Sequence, residues 1–398
     1  MITNYVILAL CIIVLLSYLF DISFSYSRIP GVVLLIALGI ALQLTVKYIG
    51  LDIPNLKPVL PVLGTLGLIL IVMDAALEIQ LERNKKGVLI KSIFSAAILL
   101  LLFSGLLAFV FIKIFHLPVT TALLNAIPLG IISSAVAISS SVLLERNERE
   151  FITIESAVSD ILGILAFDFI LLNQSSFGNG ILSFAFKGLI TIIIAVVMTG
   201  ILAMLLHKIK YHVSYIIILT SVVLIYVLAK LIYLPGLFLV VIFGLALSNN
   251  RMIENTAAKR FIDFDKFRDD ISSFKKILAE LTFLVRSFFF IMFGYYTSLA
   301  GFTDINNLLL AISITAGIFI LRWIILRMLM GKNTGKLVWF APRGLITILL
   351  FLSIPLSYRT DLISEEVVTL VILMSIFVMM TGNMLPAKKP VDQGISPG

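Results

Sequence analysis

Apolar runs long enough to cross a bilayer recur from one end of this chain to the other. A helix needs roughly 20 apolar residues to span a hydrocarbon core about 30 Å thick. Thirteen candidate spans can be read, at about 4–20, 30–47, 59–79, 88–113, 119–143, 150–172, 184–207, 213–232, 234–249, 280–300, 305–330, 336–357 and 364–384. Inside a bilayer every backbone polar group must find its partner within the protein, which leaves helices or closed barrels. Runs of this length are helical, so the expected class is an all-α integral membrane protein with 13 transmembrane helices. Composition agrees: 60% of the 398 residues are hydrophobic and 13% charged, against roughly half and a quarter in a soluble domain. One cysteine, Cys11, and three histidines leave no disulfide scaffold and no multi-ligand Cys/His metal centre. The opening residues MITN carry no positive region and no A-x-A-like site follows. The first run is therefore expected to stay as a membrane helix.

The net charge of +8 would suggest nucleic acid in a soluble protein. Here the basic residues lie in short loops between spans, which is the positive-inside pattern and calls for no nucleic-acid partner. With the N-terminus outside, alternating loops leave only Lys47, Lys57, Lys113, Lys230 and Arg359 on the outer side. The inner side collects the clusters at 83–91, 146–149, 208–210, 251–276, 327–336 and 388–389. The expected placement is a multi-pass protein of a prokaryotic inner or plasma membrane, its C-terminus cytoplasmic. The one long loop, 249–280, mixes charges with spaced Phe and Ile. It reads either as a cytoplasmic helix lying on the membrane surface or as a solvated linker. The tail AKKPVDQGISPG reads as disordered.

Ionisable side chains within spans are functional suspects by default. Here they are Asp74 and Glu78 in span 3, Glu155, Asp160 and Asp168 in span 6, Lys187 in span 7, Arg286 in span 10, Arg322 in span 11 and Arg343 in span 12. Depth sorts them. Span 6 enters from the inner side near residue 150, so at ~1.5 Å per residue Asp160 lies about 15 Å in, at the midplane. Glu155 lies about 8 Å in, and Asp168 is close to the outer face. Glu78, Lys187 and Arg286 can snorkel to an interface. Asp74 is deep, with no evident partner.

Two segments carry backbone signals. SSAVAISSS (133–141) in span 5 gathers hydroxyls and small residues at mid-membrane. APRGLI in span 12 places Pro342, which lacks an N–H, beside Gly344. Helix breaks at this depth are tolerated only where protein or water covers them, and paired breaks in two halves of a chain point to a transporter's binding site.

Several motifs, in order and at matching spacing, resemble one family. LGTLGLILIVMDAALEI (64–80) has Ala76-Leu77-Glu78 where that family has Gly-Leu-Glu; LPGLFLVVIFGLALSNN and FFFIMFG resemble its spans 9 and 10, and WFAPRGLITILL its broken-helix motif with Arg343-Gly344. From about residue 28 to 384 the chain resembles the monovalent cation:proton antiporter superfamily, above all its electroneutral sodium/proton exchangers. That branch has a Glu in span 6 and, five positions on, the Asp of an Asn-Asp pair. Glu155 matches the Glu, Asp160 matches the ion-binding Asp, and Ser159 replaces the Asn. The family Glu pairs with a span 11 Arg, matched best by Arg322, with Arg327 as runner-up. Span 5 of that branch reads Thr-Asp-Pro, whereas this chain has Ser133-Ser134-Ala135. The second carboxylate near the ion is missing, as it also is in potassium-efflux branches.

The resemblance implies inverted repeats with two broken helices crossing in an ion-binding core. Residues 81–175 (spans 4–6) and 304–385 (spans 11–13) would form that core, with 1–80 and 176–303 (spans 7–10) as scaffold, linker and dimerisation helices, and 386–398 as a cytoplasmic tail. It implies a homodimer that exchanges Na⁺ for H⁺ by alternating access without a cofactor. A K⁺/H⁺ antiporter or potassium efflux system is the alternative. Asp160, Ser159, Ser133 and Ser134 would bind the cation and proton, Glu155 and Arg322 would form a structural pair, and Arg343 and Gly344 would support the core. Asp74 and Asp168 are secondary candidates. Desolvation disfavours an ionised Asp160, and a hard cation restores the negative form. Proton and cation then compete for one carboxylate, and one site carrying one charge each way implies electroneutral 1:1 exchange. An intramembrane protease would need H-E-x-x-H, or a serine with a histidine at membrane depth; the chain has neither.

Overall fold

In the computed structural model, backbone polar groups are satisfied within helices, and no strand occurs among the described residues. These residues are 2–27, 29–50, 59–78, 86–172, 188–195, 214–232, 234–248, 264–331 and 334–384, with a few positions between 186 and 201. In chain order the helices are α1 (Ile2–Ser27), α2 (Gly31–Ile49), α3 (Val59–Glu78), α4 (Lys86–Phe115), α5 (Val119–Gly130), α6 (Ser134–Ser140), α7 (Arg146–Leu172), α8 (Ser214–Leu231), α9 (Gly236–Ser248), α10 (Phe264–Tyr296), α11 (Ile305–Met330), α12 (Leu345–Leu352) and α13 (Glu365–Met384). Residues 188–195 are also helical. Lys187, the 249–263 part of the long loop and the tail from 385 lie outside the described residues, as does the side chain of Glu78.

Six segments are long and apolar enough to span a bilayer by length and composition: Gly31–Ile49, Gly87–Phe115, Val119–Ser140, Ile271–Tyr296, Ile305–Met330 and Glu365–Gly382. Shorter apolar helices run over Cys11–Ser23, Val62–Leu77, Ile216–Leu231 and Gly236–Ser248. With α7, whose 27 residues extend about 40 Å, they make a multi-pass membrane protein. Leucine, isoleucine and phenylalanine side chains stand exposed along α1, α4, α8 and α11, as Leu15, Leu101, Leu231 and Ile320 do. In lipid that exposure is the favourable state.

The long loop departs from expectation. Residues 264–280 are neither a separate surface helix nor a linker but the first half of α10, which continues unbroken to Tyr296. Ile271, Phe274 and Leu278 are buried at helical spacing, and no Gly or Pro interrupts the chain before Gly294. The apolar stripe therefore outweighs the charges on the other face. The Lys275 ammonium donates to the Leu77 carbonyl near the end of α3, and the Ser248 hydroxyl donates to the same oxygen at 2.7 Å.

Along its length α10 packs on α2 and α3. The α2–α10 approach is a backbone contact: a Cβ on Gly39 would lie 2.1 Å from the Ile291 carbonyl oxygen, and one on Gly294 would lie 2.3 Å from that of Ile36. Glycines let membrane helices come this close, where packing rather than water exclusion drives association.

Span 5, read as one run, is two helices. Pro128 lies inside α5, where it removes a helix hydrogen bond. The chain leaves the helix after Gly130, runs extended at Ile131 and resumes at Ser134. The extended segment lies against α7 at Gly163, where a Cβ would stand 2.2 Å from Ile131 Cδ1. The span 12 region is likewise in pieces: a 3₁₀ turn at Gly335–Trp339, non-helical backbone at 340–344, then α12. Pro342 explains that gap, since it has no N–H and disfavours helical backbone at Ala341.

Candidate ion-binding site

The two interruptions meet. The Ser133 amide donates to the Pro342 carbonyl at 2.9 Å, joining segments about two hundred residues apart. Gly344 permits the approach, because a Cβ there would lie 2.4 Å from Ser133 Oγ. The amides of the first interruption turn to α7: Ile132 N donates to Ser159 Oγ at 3.0 Å, and Ser134 N donates to Asp160 Oδ2 at 3.3 Å. Asp160 is 1% exposed, and its other oxygen, Oδ1, is buried without a partner. A buried carboxylate oxygen left unbonded is unfavourable, so the site favours whatever can occupy that oxygen.

Carbonyls freed by the interruptions are met by arginines. Arg343 Nε donates to Leu129 O at 2.6 Å and Nη1 donates to Ala341 O at 3.2 Å, so one guanidinium ties α5 to the second break. Its flat face lies 5.9 Å from the Phe103 ring centre, and its own amide donates to Ser375 Oγ on α13 at 2.9 Å. The side chain is bonded to carbonyls and not to a carboxylate, and its electrostatic neighbours are Arg322 and Glu155.

Glu155 and Arg322 are fully buried and paired. Arg322 Nη2 reaches Glu155 Oε2 at 2.8 Å and Nη1 reaches Oε1 at 3.1 Å, a two-pronged geometry. Arg322 Nε donates to Leu337 O at 2.9 Å, and Ser95 Oγ donates to Glu155 Oε1 at 2.5 Å. The pair thus fastens α4, α7, α11 and the 335–339 turn together. Arg327 lies elsewhere, over the Trp323 ring at 5.7 Å.

The remaining charged suspects are not drawn into this cluster. Asp74 is half-buried on α3, with Arg286 and Lys275 as its electrostatic neighbours. Arg286 Nη2 is 3.9 Å from Asp21 Oδ1 on α1, so it has a partner within the bundle. Asp168 is half-buried toward the other end of α7, with Lys230 as its neighbouring cation. Sequence reasoning missed Ser95, Ser375 and the carbonyls of Leu129 and Leu337. A serine in an apolar span gives no signal of its own, because its usual partner is a carbonyl one turn back. Ser92, on the same helix as Ser95, bonds in that way.

Chemically, the cluster offers one carboxylate with a free oxygen, flanked by serine hydroxyls and turned-out backbone. It can take a proton or a hard cation. Among the described residues, no group of three or more His, Cys, Asp or Glu could hold a metal, so the donor set suits a single positive charge. Interrupted helices meeting around a buried acid in a multi-pass membrane protein are the mark of a class, the secondary transporters. The chain belongs to the transmembrane sodium/hydrogen exchanger family, which it matches over residues 11–387. Members of this family exchange cations for protons, so the protein is a transporter and not an enzyme. It resembles the solved structure of the sodium proton antiporter MjNhaP1 from Methanocaldococcus jannaschii at pH 8, with 20% identity, a TM-score of 0.66 and coverage of 97% of this chain and 96% of that one. It also resembles the structure of MjNhaP1 from an electron-microscopy map, with 20% identity, a TM-score of 0.66 and coverage of 95% and 94%. At that identity the likeness shows the fold. Comparison with curated protein sequences gives no match.

Proposed function

We propose that this protein exchanges one monovalent cation, sodium first, for one proton by alternating access, with Asp160 as the shared site. The observation that carries the reading is the unpartnered, buried Oδ1 of Asp160 beside two interrupted helices. A proton on Asp160 removes its charge, and a cation on Oδ1 neutralises it. Either state lets the carboxylate cross a low-dielectric region, whereas the bare anion is disfavoured there. Coupling follows because the carrier crosses only when occupied.

Residues 81–175 and 304–385 would then move as an inverted-repeat core, with thirteen spans in all. Residues 1–80 and 176–303 would form the fixed scaffold and the homodimer contact. The N-terminus would lie outside and the C-terminus in the cytoplasm of a prokaryotic cell. Glu155 is committed to Arg322 and carries no transported proton. Ser134 stands where the electroneutral exchangers have a second acid, and Ser159 accepts the Ile132 amide, so neither adds a proton carrier. Exchange is therefore electroneutral. The replacement by Ser134 also favours a second reading, potassium in place of sodium.

The test is dye quenching in everted vesicles with Na⁺, Li⁺ and K⁺ added separately, followed by proteoliposomes carrying a potassium diffusion potential through valinomycin. Dequenching by sodium with no potential-driven sodium uptake is expected. Response to none of the three cations would end the proposal. Uptake driven by the potential, worth about 2.3 kcal/mol per charge per 100 mV, would end the 1:1 stoichiometry.

A further inference from the structure

Buried hydroxyls in membrane helices usually bond back to their own helix. In this protein Ser17, Ser92, Ser156, Thr297 and Thr369 all donate to the carbonyl four residues earlier. Thr347 does not. It is 1% exposed, and its Oγ1 is buried with no partner. The reason is local: the residues three and four places back, Gly344 and Arg343, belong to the interruption before α12. Other unpartnered hydroxyls exist, among them Ser104 on α4, which lies against Gly130, Ser140 on α6 and Thr315 on α11, but none of these is on the helix that follows the second break.

Its direction follows from helix geometry. Leu349 faces α3, because its Cδ2 would be 2.8 Å from a Cβ on Gly64. Gly344 faces Ser133 and Val136 of the first interrupted span. At about 100° per residue within α12, Thr347 points roughly opposite to Leu349. It is thus turned away from α3, and α12 packs on both α5 and α7. Two unpaired buried oxygens, Asp160 Oδ1 and Thr347 Oγ1, belong to the two halves of the chain that this crossing joins.

We infer that Thr347 is a cation ligand, its hydroxyl oxygen joining the free Oδ1 of Asp160 so that the ion is held from both interrupted spans at once. The inference rests on the proposed cation exchange and names a residue that sets affinity within it. Hard cations take oxygen ligands, and a neutral hydroxyl adds coordination without a second negative charge. A proton on Asp160 makes no such demand on Thr347, so the residue acts on the cation and not on its competitor.

The test uses the purified full-length protein with Thr347→Val, Thr347→Ala and Thr347→Ser. Two readouts are taken at fixed pH: the sodium concentration giving half-maximal exchange in proteoliposomes, and the sodium concentration giving half-maximal thermal stabilisation in detergent. A bond to a charged partner is worth enough that Val and Ala should raise both concentrations about tenfold or more. The maximal exchange rate at saturating sodium should stay near wild type, and Ser should restore affinity. If Val disturbs folding, Ala decides. Unchanged sodium dependence in Val or Ala overturns the inference, as does a fall in maximal rate with affinity intact, which would mark a structural role. A wild type that neither exchanges a cation nor is stabilised by one overturns both the inference and the function it rests on.

Discussion

The α2–α10 contact and the crossing of the two interrupted spans are both close approaches of backbone, built from opposite materials. At the first, Gly39 and Gly294 let two complete helices touch, and no side-chain charge enters. At the second, helices stop short, and Arg343, Arg322, Ser159 and Asp160 bond the exposed amides and carbonyls. The difference teaches where each kind of stability resides. A glycine contact fails through steric bulk and is indifferent to protons or ions. A polar crossing fails through an unpaired charge, and its unfilled oxygens are where substrate chemistry can act.

The largest expected effect is at the crossing. Asp160→Asn keeps size and most hydrogen bonding but removes the titrating group, so vesicle dye quenching should disappear while the melting temperature holds or rises. Robust exchange by the purified variant would detach Asp160 from transport. Next, Glu155→Gln leaves Arg322 buried without a counter-charge and should cost on the order of 3–5 kcal/mol, a drop readable by thermal melting in detergent. Combining it with Arg322→Met should recover much of the loss. Single variants that melt like wild type would mean the pair carries no such weight.

Bulk at the other contact should behave differently. Gly294→Val forces side-chain atoms into the Ile36 carbonyl and should destabilise by about 1–3 kcal/mol, as overpacking does. Protein that remains folded should nonetheless keep wild-type sodium affinity. A shift in affinity without a shift in melting would erase the contrast between the two regions. Ser95→Ala removes one donor from Glu155 but leaves the two-pronged pair, and about 1.5 kcal/mol should be lost on the same assay.

The mildest perturbation changes no residue. Protonated Asp160 excludes the cation, so exchange should be low in acid and rise with pH. More cation should hold the site ionised at lower pH, moving the midpoint down by about one unit per tenfold increase while competition persists. A midpoint fixed over a hundredfold range of sodium would place pH sensing outside the crossing.

Much of this architecture was legible in the chain because lipid punishes polar backbone, and apolar runs therefore announce helices. The break before α12 was readable from Pro342 and Gly344, whose chemistry forbids or loosens a helix. The other break was only hinted at: the hydroxyl cluster begins at Ser133, yet the extended residues include Ile131 and Ile132, which look like ordinary span. Glu155 and Asp160 stood out as acids in an apolar helix. Ser95 and Ser375 did not, because a serine's partner depends on which helix lies opposite. The first half of α10 was not legible as part of a spanning helix, because Lys275, Lys276 and Glu280 share that stretch with Ile271, Phe274 and Leu278. Charge density is visible in composition, while the face it occupies is visible only once neighbours exist.

That continuous α10 has a consequence of scale. Its 33 residues measure about 50 Å at 1.5 Å per residue, some 20 Å more than a bilayer's hydrocarbon core is thick. One end is clamped at Gly294 against α2, and the other reaches past the end of α3 toward the aqueous side. Such a rod magnifies any tilt at that contact. A small tilt there becomes a displacement of several ångströms at the Phe264 end, where a spin label could record whether this part of the protein stands still while ions pass.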